Sequence, residues 1–287
     1  MKNGVGIVGY GVVGASLLRL FTSNERDVPK VAIYDPAKGL DDKQAVNDRA
    51  ITFVCVPTPS GPDGRCDTSM VEESVAWIES DVIVIRSTVP PGTTDRLREK
   101  YGKRIVFQPE YLGETADHPM VGVGSQRFAV LGGPIEDTAP VADLYKRFFN
   151  SDLRFYFCTA ICAELAKYME NAFYATKVTF CNEFYDIAQA LGVDYNELRE
   201  AWLADPRISR DHTFVYPANR GFSGKCLPKD TSAIIQAAHE RGIFPQLLAA
   251  TMTANTRYRD GDDTWDQYAK LFSQSLAPEL PADRPSA

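Results

Sequence analysis

The sequence is poor in histidine, with only His118, His212 and His239, and these lie too far apart to supply the paired ligands of a zinc site, so no metal is expected. No apolar run approaches the roughly 18 residues that a membrane span needs. Basic residues are outnumbered, 31 against 38 acidic, and a net charge of −7 leaves no general surface for nucleic acid. The opening residues MKNGVGIVGYGVVG lack the pattern of a secretion signal, which makes the cytoplasm the expected compartment. The six cysteines (Cys55, Cys66, Cys158, Cys162, Cys181, Cys226) are dispersed apart from one C-x3-C, and in a reducing compartment they remain thiols. Cys158 and Cys162 read as structural. What is present is ordinary for a globular chain: 44% apolar and 24% charged residues across 287 positions, enough for about two domains of roughly 100 to 200 residues.

The first half alternates short β-branched runs with amphipathic stretches. Residues 5–8, 31–34, 51–56, 82–85, 105–107 and 128–131 read as strands apolar on both faces, the mark of a buried parallel sheet. Residues 14–21, 70–79 and 93–101 read as crossover helices, which completes an α/β doubly wound pattern. After about residue 151 the texture turns helical. Apolar residues recur at helical spacing from Thr159 to Leu191 with no proline, and further helical stretches cover about 230–242 and 245–258. The expected division is a dinucleotide-binding domain over 1–153, a helical domain over 154–272, and a tail over 273–287 that is proline-rich and expected to be disordered.

Gly9-Tyr10-Gly11-Val12-Val13-Gly14 fits G-x-G-x-x-G, follows a strand, opens a helix, and is followed by a second strand ending in Asp35. Gly9 permits the tight turn, Gly11 lets a pyrophosphate reach the backbone at a helix N-terminus, and Gly14 lets helix and strand pack closely. Asp35 accepts hydrogen bonds from an adenosine ribose diol and repels a 2′-phosphate, so the spacing points to NAD in a Rossmann-type domain.

A second string, Gly221-Phe222-Ser223-Gly224-Lys225-Cys226-Leu227-Pro228-Lys229-Asp230, sets a cysteine between two lysines just ahead of a proline suited to a first helical turn. A helix N-terminus and neighbouring cations both favour a thiolate, the form that attacks carbonyl carbon. Lys167 and Asn171 stand four apart on the long helical segment and so share a face, and Asp230 stands four after Cys226.

This string resembles the GFGGxCLPKD signature of the UDP-glucose/GDP-mannose 6-dehydrogenases, with Ser223 at a position that is usually glycine. Further matches follow the family's order: Val56-Pro57-Thr58-Pro59, Ser87 to Thr93, Pro109-Glu110-Tyr111-Leu112-Gly113-Glu114, Glu164 to Lys167 through Asn171-Ala172-Phe173, and Asn182-Glu183. The resemblance implies oxidation of a nucleotide sugar's C6 primary alcohol to a carboxylate with two NAD, through a thiohemiacetal and a thioester on Cys226. It further implies that Lys167 and Asn171 stabilise the oxyanion, that Asp230 and Thr88 order a water, and that Glu110 is the base for thioester hydrolysis. Val12, Val13, Val56, Pro57, Thr58, Thr88 and Glu114 would border the cofactor, and Tyr111, Leu112, Phe222 and Gly224 would join Glu110, Lys167 and Asn171 around the substrate. A homodimer through the helical domain is implied as well, with Tyr168, Phe173, Tyr174, Phe180, Phe184 and Tyr185 as packing or dimer-face residues.

The sequence departs from the family at three places. The stretch between Asp35 and Ile51 is short, Arg220 stands where an apolar residue is usual, and GDDTWDQYAKLF with its proline-rich continuation does not read as the family's third domain. The expectation is therefore a short member without the C-terminal nucleotide-sugar-binding domain. Two other functions compete with this reading. One is a non-catalytic NAD-binding protein that needs a partner for the missing domain; the other is a two-electron dehydrogenase of the β-hydroxyacid type, which needs no thiol.

Overall fold

A computed structural model of the chain describes residues 2–23, 29–61, 63–112, 126–149 and 153–260. Among them are the seven strands β1 (Val5–Val8), β2 (Val31–Tyr34), β3 (Ile51–Val54), β4 (Val82–Ile85), β5 (Ile105–Phe107), β6 (Phe128–Gly132) and β7 (Arg154–Cys158). They form one sheet in the order β2-β1-β3-β4-β5-β6-β7. β1 to β5 are mutually parallel. β6 meets β5 antiparallel through Phe107 and Gly132 and pairs parallel with β7, so β6 reverses the direction expected of it and β7 is a strand that was not expected.

The apolar runs explain why the sheet is a middle layer. Every residue of β1, β3, β4 and β5 is buried, and alternate side chains go to opposite faces. Val5, Ile7, Phe53 and Val84 meet Leu17 and Phe21 of α1 (Val12–Thr22) and Tyr145 of α5 (Ile135–Lys146). Val8, Val54, Ile83 and Ile85 meet Val46 of α2 (Lys43–Asn47), Val75 of α3 (Ser69–Trp77), Leu97 of α4 (Thr93–Tyr101) and Ala163 of α6 (Ala160–Ala190). Helices therefore cover both faces, as the doubly wound reading requires. The chain leaves β1 for β2 on one side and returns to β3 on the other, which puts the topological switch between β1 and β3, where such sheets bind their ligands.

Two compact units divide the chain: residues 1–175 with 223–248, and residues 176–222 with 249 onward. This is not a division at 153/154. β7 prolongs the sheet beyond that point, and the first half of α6, together with α8 (Leu227–His239), clusters with the sheet. β7 was read as part of the helical half because its sequence, RFYFC, is half exposed and has no apolar alternation to mark it. In the second unit, Cys181, Ala188 and Tyr195 pack with Leu198 and Trp202 of α7 (Tyr195–Leu203). Arg220, the departure noted above, donates to the Asn182 side chain at 2.6 Å and lies between the rings of Tyr185 and of Tyr258 on α9 (Gln246–Asp260). An arginine stacked and bonded in this way does the packing an apolar residue would do there. No described helix is long and apolar enough to cross a membrane.

Candidate active site

The turn after β1 is built by its glycines. Gly9 has φ +90°, and a Cβ there would lie 2.7 Å from the carbonyl oxygen of Cys55. A Cβ on Gly14 would lie 2.1 Å from the carbonyl oxygen of Gly9, so helix and turn approach as closely as backbones can. At Gly11 the added atom would meet nothing within 4 Å. The open position is therefore the one required for a pyrophosphate, at the head of a helix with no side-chain cap and no acid in its first turn. Val12 is exposed and Val13 half buried at this helix start. Asp35, at the end of the neighbouring strand, accepts from the Tyr10 amide at 2.8 Å through Oδ2, and that bond fixes its carboxylate beside the turn. These residues fit a dinucleotide: an open cradle of amides for phosphate and a carboxylate for a ribose.

The loops after β3 and β4 continue this rim. Ser87 Oγ donates to the carbonyl of Val56 at 2.6 Å. The Cys66 thiol donates to the carbonyls of Thr88 at 3.5 Å and Thr58 at 3.8 Å, which ties Thr58 and Thr88 together although they belong to different loops. Pro57 is exposed beside them. Burial pushes the Cys66 thiol up, against the pull of the Lys229 ammonium, so Cys66 is held as a neutral donor.

α6 and α8 carry the remaining groups. Cys226 is the exposed N-cap residue of α8, and its carbonyl accepts from the Asp230 amide at 2.9 Å, which starts the helix where the sequence suggested. Asp230 is almost wholly buried. Its Oδ2 accepts from Asn171 Nδ2 at 2.5 Å, and its Oδ1 pairs with Lys229. One turn earlier on α6, the Lys167 ammonium bonds Glu170 at 2.9 Å and lies 4.9 Å from the centre of the Tyr111 ring. Asn171, one turn after Lys167 on α6, is thus bonded to Asp230, whose amide is bonded to Cys226 at the head of α8. Cys66 joins Thr88 to the same neighbourhood through the charges of Lys229 and Asp230. Glu170 and Cys66 were missed by sequence reasoning and carried no signal; Lys229 was read as a cation flanking Cys226, and the structure pairs it with Asp230 instead.

Glu110 is held differently. Its Oε1 accepts from the amides of Tyr111 and Leu112, both at 2.7 Å, and its Oε2 pairs with Arg86, whose side chain is wholly buried. Arg86 also donates to the Tyr145 hydroxyl at 3.2 Å, and that hydroxyl donates to Gln108 at 2.7 Å. This network lies under the sheet's end, and its described hydrogen bonds do not reach Lys167, Asn171, Cys226 or Asp230. Arg86 had one sequence signal, a charge directly after the apolar run VIVI. Phe222 falls in the second unit, where the Asn255 side chain brackets its amide and carbonyl at 2.7 and 2.9 Å; Gly224 falls in the first, exposed. Glu114 lies outside the described residues. Among the described residues, no three His, Cys, Asp or Glu side chains are grouped to hold a metal.

Comparison with known proteins gives concordant results. Residues 37–149 match the NAD binding domain of the UDP-glucose/GDP-mannose dehydrogenase family, and residues 162–257 match that family's central domain. A UDP-glucose 6-dehydrogenase of Pseudomonas aeruginosa is 32% identical over 235 residues, covering 76% of this chain and 51% of the relative. UDP-glucose 6-dehydrogenase AglM of Haloferax volcanii is 30% identical over 308 residues, 87% of this chain and 68% of the relative. The structure of a UDP-glucose dehydrogenase from Pyrobaculum islandicum superposes with a TM-score of 0.75 at 25% identity, covering 96% of this chain and 72% of that one. The chain spans about half the length of the first of these relatives.

Proposed function

The chain belongs to the UDP-glucose/GDP-mannose dehydrogenase family, and on that premise we propose that it oxidises the C6 primary alcohol of a nucleotide sugar to a carboxylate with NAD, through Cys226. The observation that carries this reading is the bond between Asn171 and Asp230. It ties the helix bearing Lys167 to the helix headed by Cys226, within the same compact unit as the glycine turn.

NAD, when bound, supplies the hydride acceptor for each of the two oxidations. The protein residues do the rest. The carbinol oxygen loses its proton as the first hydride leaves, and Lys167 and Asn171, one turn apart, are the groups that stabilise charge on that oxygen. The thiolate of Cys226 adds to the resulting aldehyde, forming a C–S bond and a thiohemiacetal whose carbon can give up a second hydride. Water then replaces sulfur at the acyl carbon, releasing the carboxylate and the thiol. The balance is one alcohol, one water and two NAD going to one carboxylate, two NADH and three protons. A hydroxyl in place of the thiol would leave an ester, which is harder to hydrolyse.

Asp230, held by Asn171 and Lys229 and itself almost fully buried, serves to keep α8 and Cys226 in register and, with Thr88, to order the water of proton transfer. Glu110 enters as the base for hydrolysis. Its carboxylate is oriented by Arg86 and by the amides of Tyr111 and Leu112.

The dimer belongs to the same proposal. Ile161, Leu165, Met169 and Phe173 are exposed at fourfold spacing on the first half of α6. A row of this kind on a long helix is the face a second copy covers. Light scattering at micromolar concentration is expected to give twice the chain mass, and a monomer there contradicts it. The chemistry is tested by intact-mass and peptide analysis after incubation with NAD and UDP-glucose, GDP-mannose or a UDP-N-acetylhexosamine. The expected result is a sugar adduct on the peptide containing Cys226. Turnover without any adduct, under conditions that trap thioesters, contradicts the covalent route.

A further inference from the structure

Glu164 stands on α6 one turn before Lys167 and is fully buried, yet its carboxylate serves another helix. Oε1 accepts from the Thr94 amide at 2.8 Å and from the Thr94 hydroxyl at 2.6 Å, and Oε2 accepts from the Gly92 amide at 2.5 Å. These are the donors at the head of α4, whose own N-cap residue is Gly92 and has no side chain to offer. An anion placed at a helix N-terminus satisfies amides that would otherwise be orphaned and meets the positive end of the helix dipole. α6 therefore supplies the cap that α4 lacks.

The segment just before this cap is the loop that carries Thr88. Within it, Thr93 returns to the Pro90 carbonyl through both amide and hydroxyl, at 3.0 and 2.6 Å, so the loop is folded onto the helix start. At its other end Ser87 is bonded to Val56, and the Thr88 carbonyl to Cys66. Val56 in turn lies against Gly9, where a Cβ would come within 3.0 Å of the Val56 amide nitrogen. An unbroken run of contacts thus leads from Glu164 to the turn after β1.

We propose that Glu164 is a positioning residue for NAD: by capping α4 it fixes the Ser87 to Gly92 loop, and Thr88 with it, against the rim on which the dinucleotide lies. The inference rests on the reading that this rim binds NAD and is independent of which sugar is oxidised. Glu164→Gln keeps the length of the side chain but offers one acceptor where the fold needs two, and it turns an amide donor toward a backbone donor.

The test is NAD affinity, measured by titration well below the melting temperature for the wild type, Glu164→Gln, Thr94→Val and Thr94→Ser, with thermal melts alongside. Glu164→Gln is expected to weaken NAD about tenfold, and Thr94→Val, which removes only the hydroxyl donor, about threefold. Thr94→Ser, which restores that donor, is expected to match the wild type. If both Glu164→Gln and Thr94→Val lower the melting temperature while NAD affinity stays within about twofold, the role is structural only and the proposal is overturned. Should Glu164→Gln fail to fold, the Thr94 pair decides alone. A wild-type chain that binds no NAD would instead overturn the cofactor reading, and the inference with it.

Discussion

Replacing Gly11 by alanine separates the fold of the glycine turn from its ligand. The added methyl meets nothing within 4 Å, and φ at this residue is −81°, open to any amino acid. The cost to the folded chain is then limited to the preference for glycine over alanine at an N-cap, up to about 1 kcal/mol. The methyl does, however, fill the space a pyrophosphate needs. Losing two charge-assisted hydrogen bonds at about 1.5–3 kcal/mol each weakens NAD by roughly a hundredfold or more. Gly14→Ala behaves differently, because its methyl would sit 2.1 Å from a backbone oxygen, and overpacking of that kind costs about 1–3 kcal/mol or more. Fluorescence titration with NAD and thermal melts of the two variants form the assay. The expected pattern is a Gly11→Ala protein that melts close to the wild type but binds NAD poorly, and a Gly14→Ala protein that loses both. A Gly11→Ala variant that binds NAD as the wild type does would refute the assignment of the cradle.

Three other outcomes are expected. Burial pushes the Glu164 carboxyl from its ordinary 4.5 up to about 7, so between those values the folded chain holds a proton that the unfolded chain has released. Ionising the buried carboxyl costs stability that the Thr94 and Gly92 hydrogen bonds only partly return, so stability falls as pH rises from 4.5 to 7 and is level above, where the anion caps α4 and NAD affinity is to be read; Glu164→Gln removes that slope in urea titrations from pH 5 to 8, and an unchanged slope would place it elsewhere. Arg86→Met leaves the Glu110 carboxylate without its buried cation and is expected to cost about 3–5 kcal/mol by chemical denaturation, more than Arg86→Met together with Glu110→Gln; a double loss equal to the sum of the two single losses would show the pair is uncoupled. Glu110→Gln alone is expected to let the acyl-enzyme accumulate, visible as a burst of NADH followed by a slow steady state; a proportional loss of burst and steady state would move the base to another residue.

Much of the sheet was legible because strands buried on both faces need unbroken apolar runs, and VGIV, ITFV and VIVI have no other use in a chain of this composition. The glycine turn was legible because each glycine answers a distinct steric demand. Legibility failed where the cause of a structure is distant in sequence. Asn171 and Asp230 are 59 residues apart, and only the family resemblance paired them as one site. Nothing in the string around Cys66 foretells that its thiol clips the carbonyls of Thr58 and Thr88 together. Glu110 was legible only as the base that the resemblance implies, since a wholly buried arginine 24 residues earlier is not something periodicity reveals. β7 escaped because a half-exposed strand at the end of a sheet has no pattern that separates it from a connector. The reversal at β5 and β6 escaped because strand direction is set by the connections, and apolar runs look alike in either direction.

The central claim is that Cys226 lets one site carry out both oxidations of a primary alcohol. The most direct measurement counts NADH formed per molecule of nucleotide sugar consumed, for the wild type and for Cys226→Ala. The account predicts two NADH and a carboxylate product from the wild type, and a Cys226→Ala chain that releases no carboxylate. One NADH per substrate in both proteins, with the aldehyde as product, would contradict it.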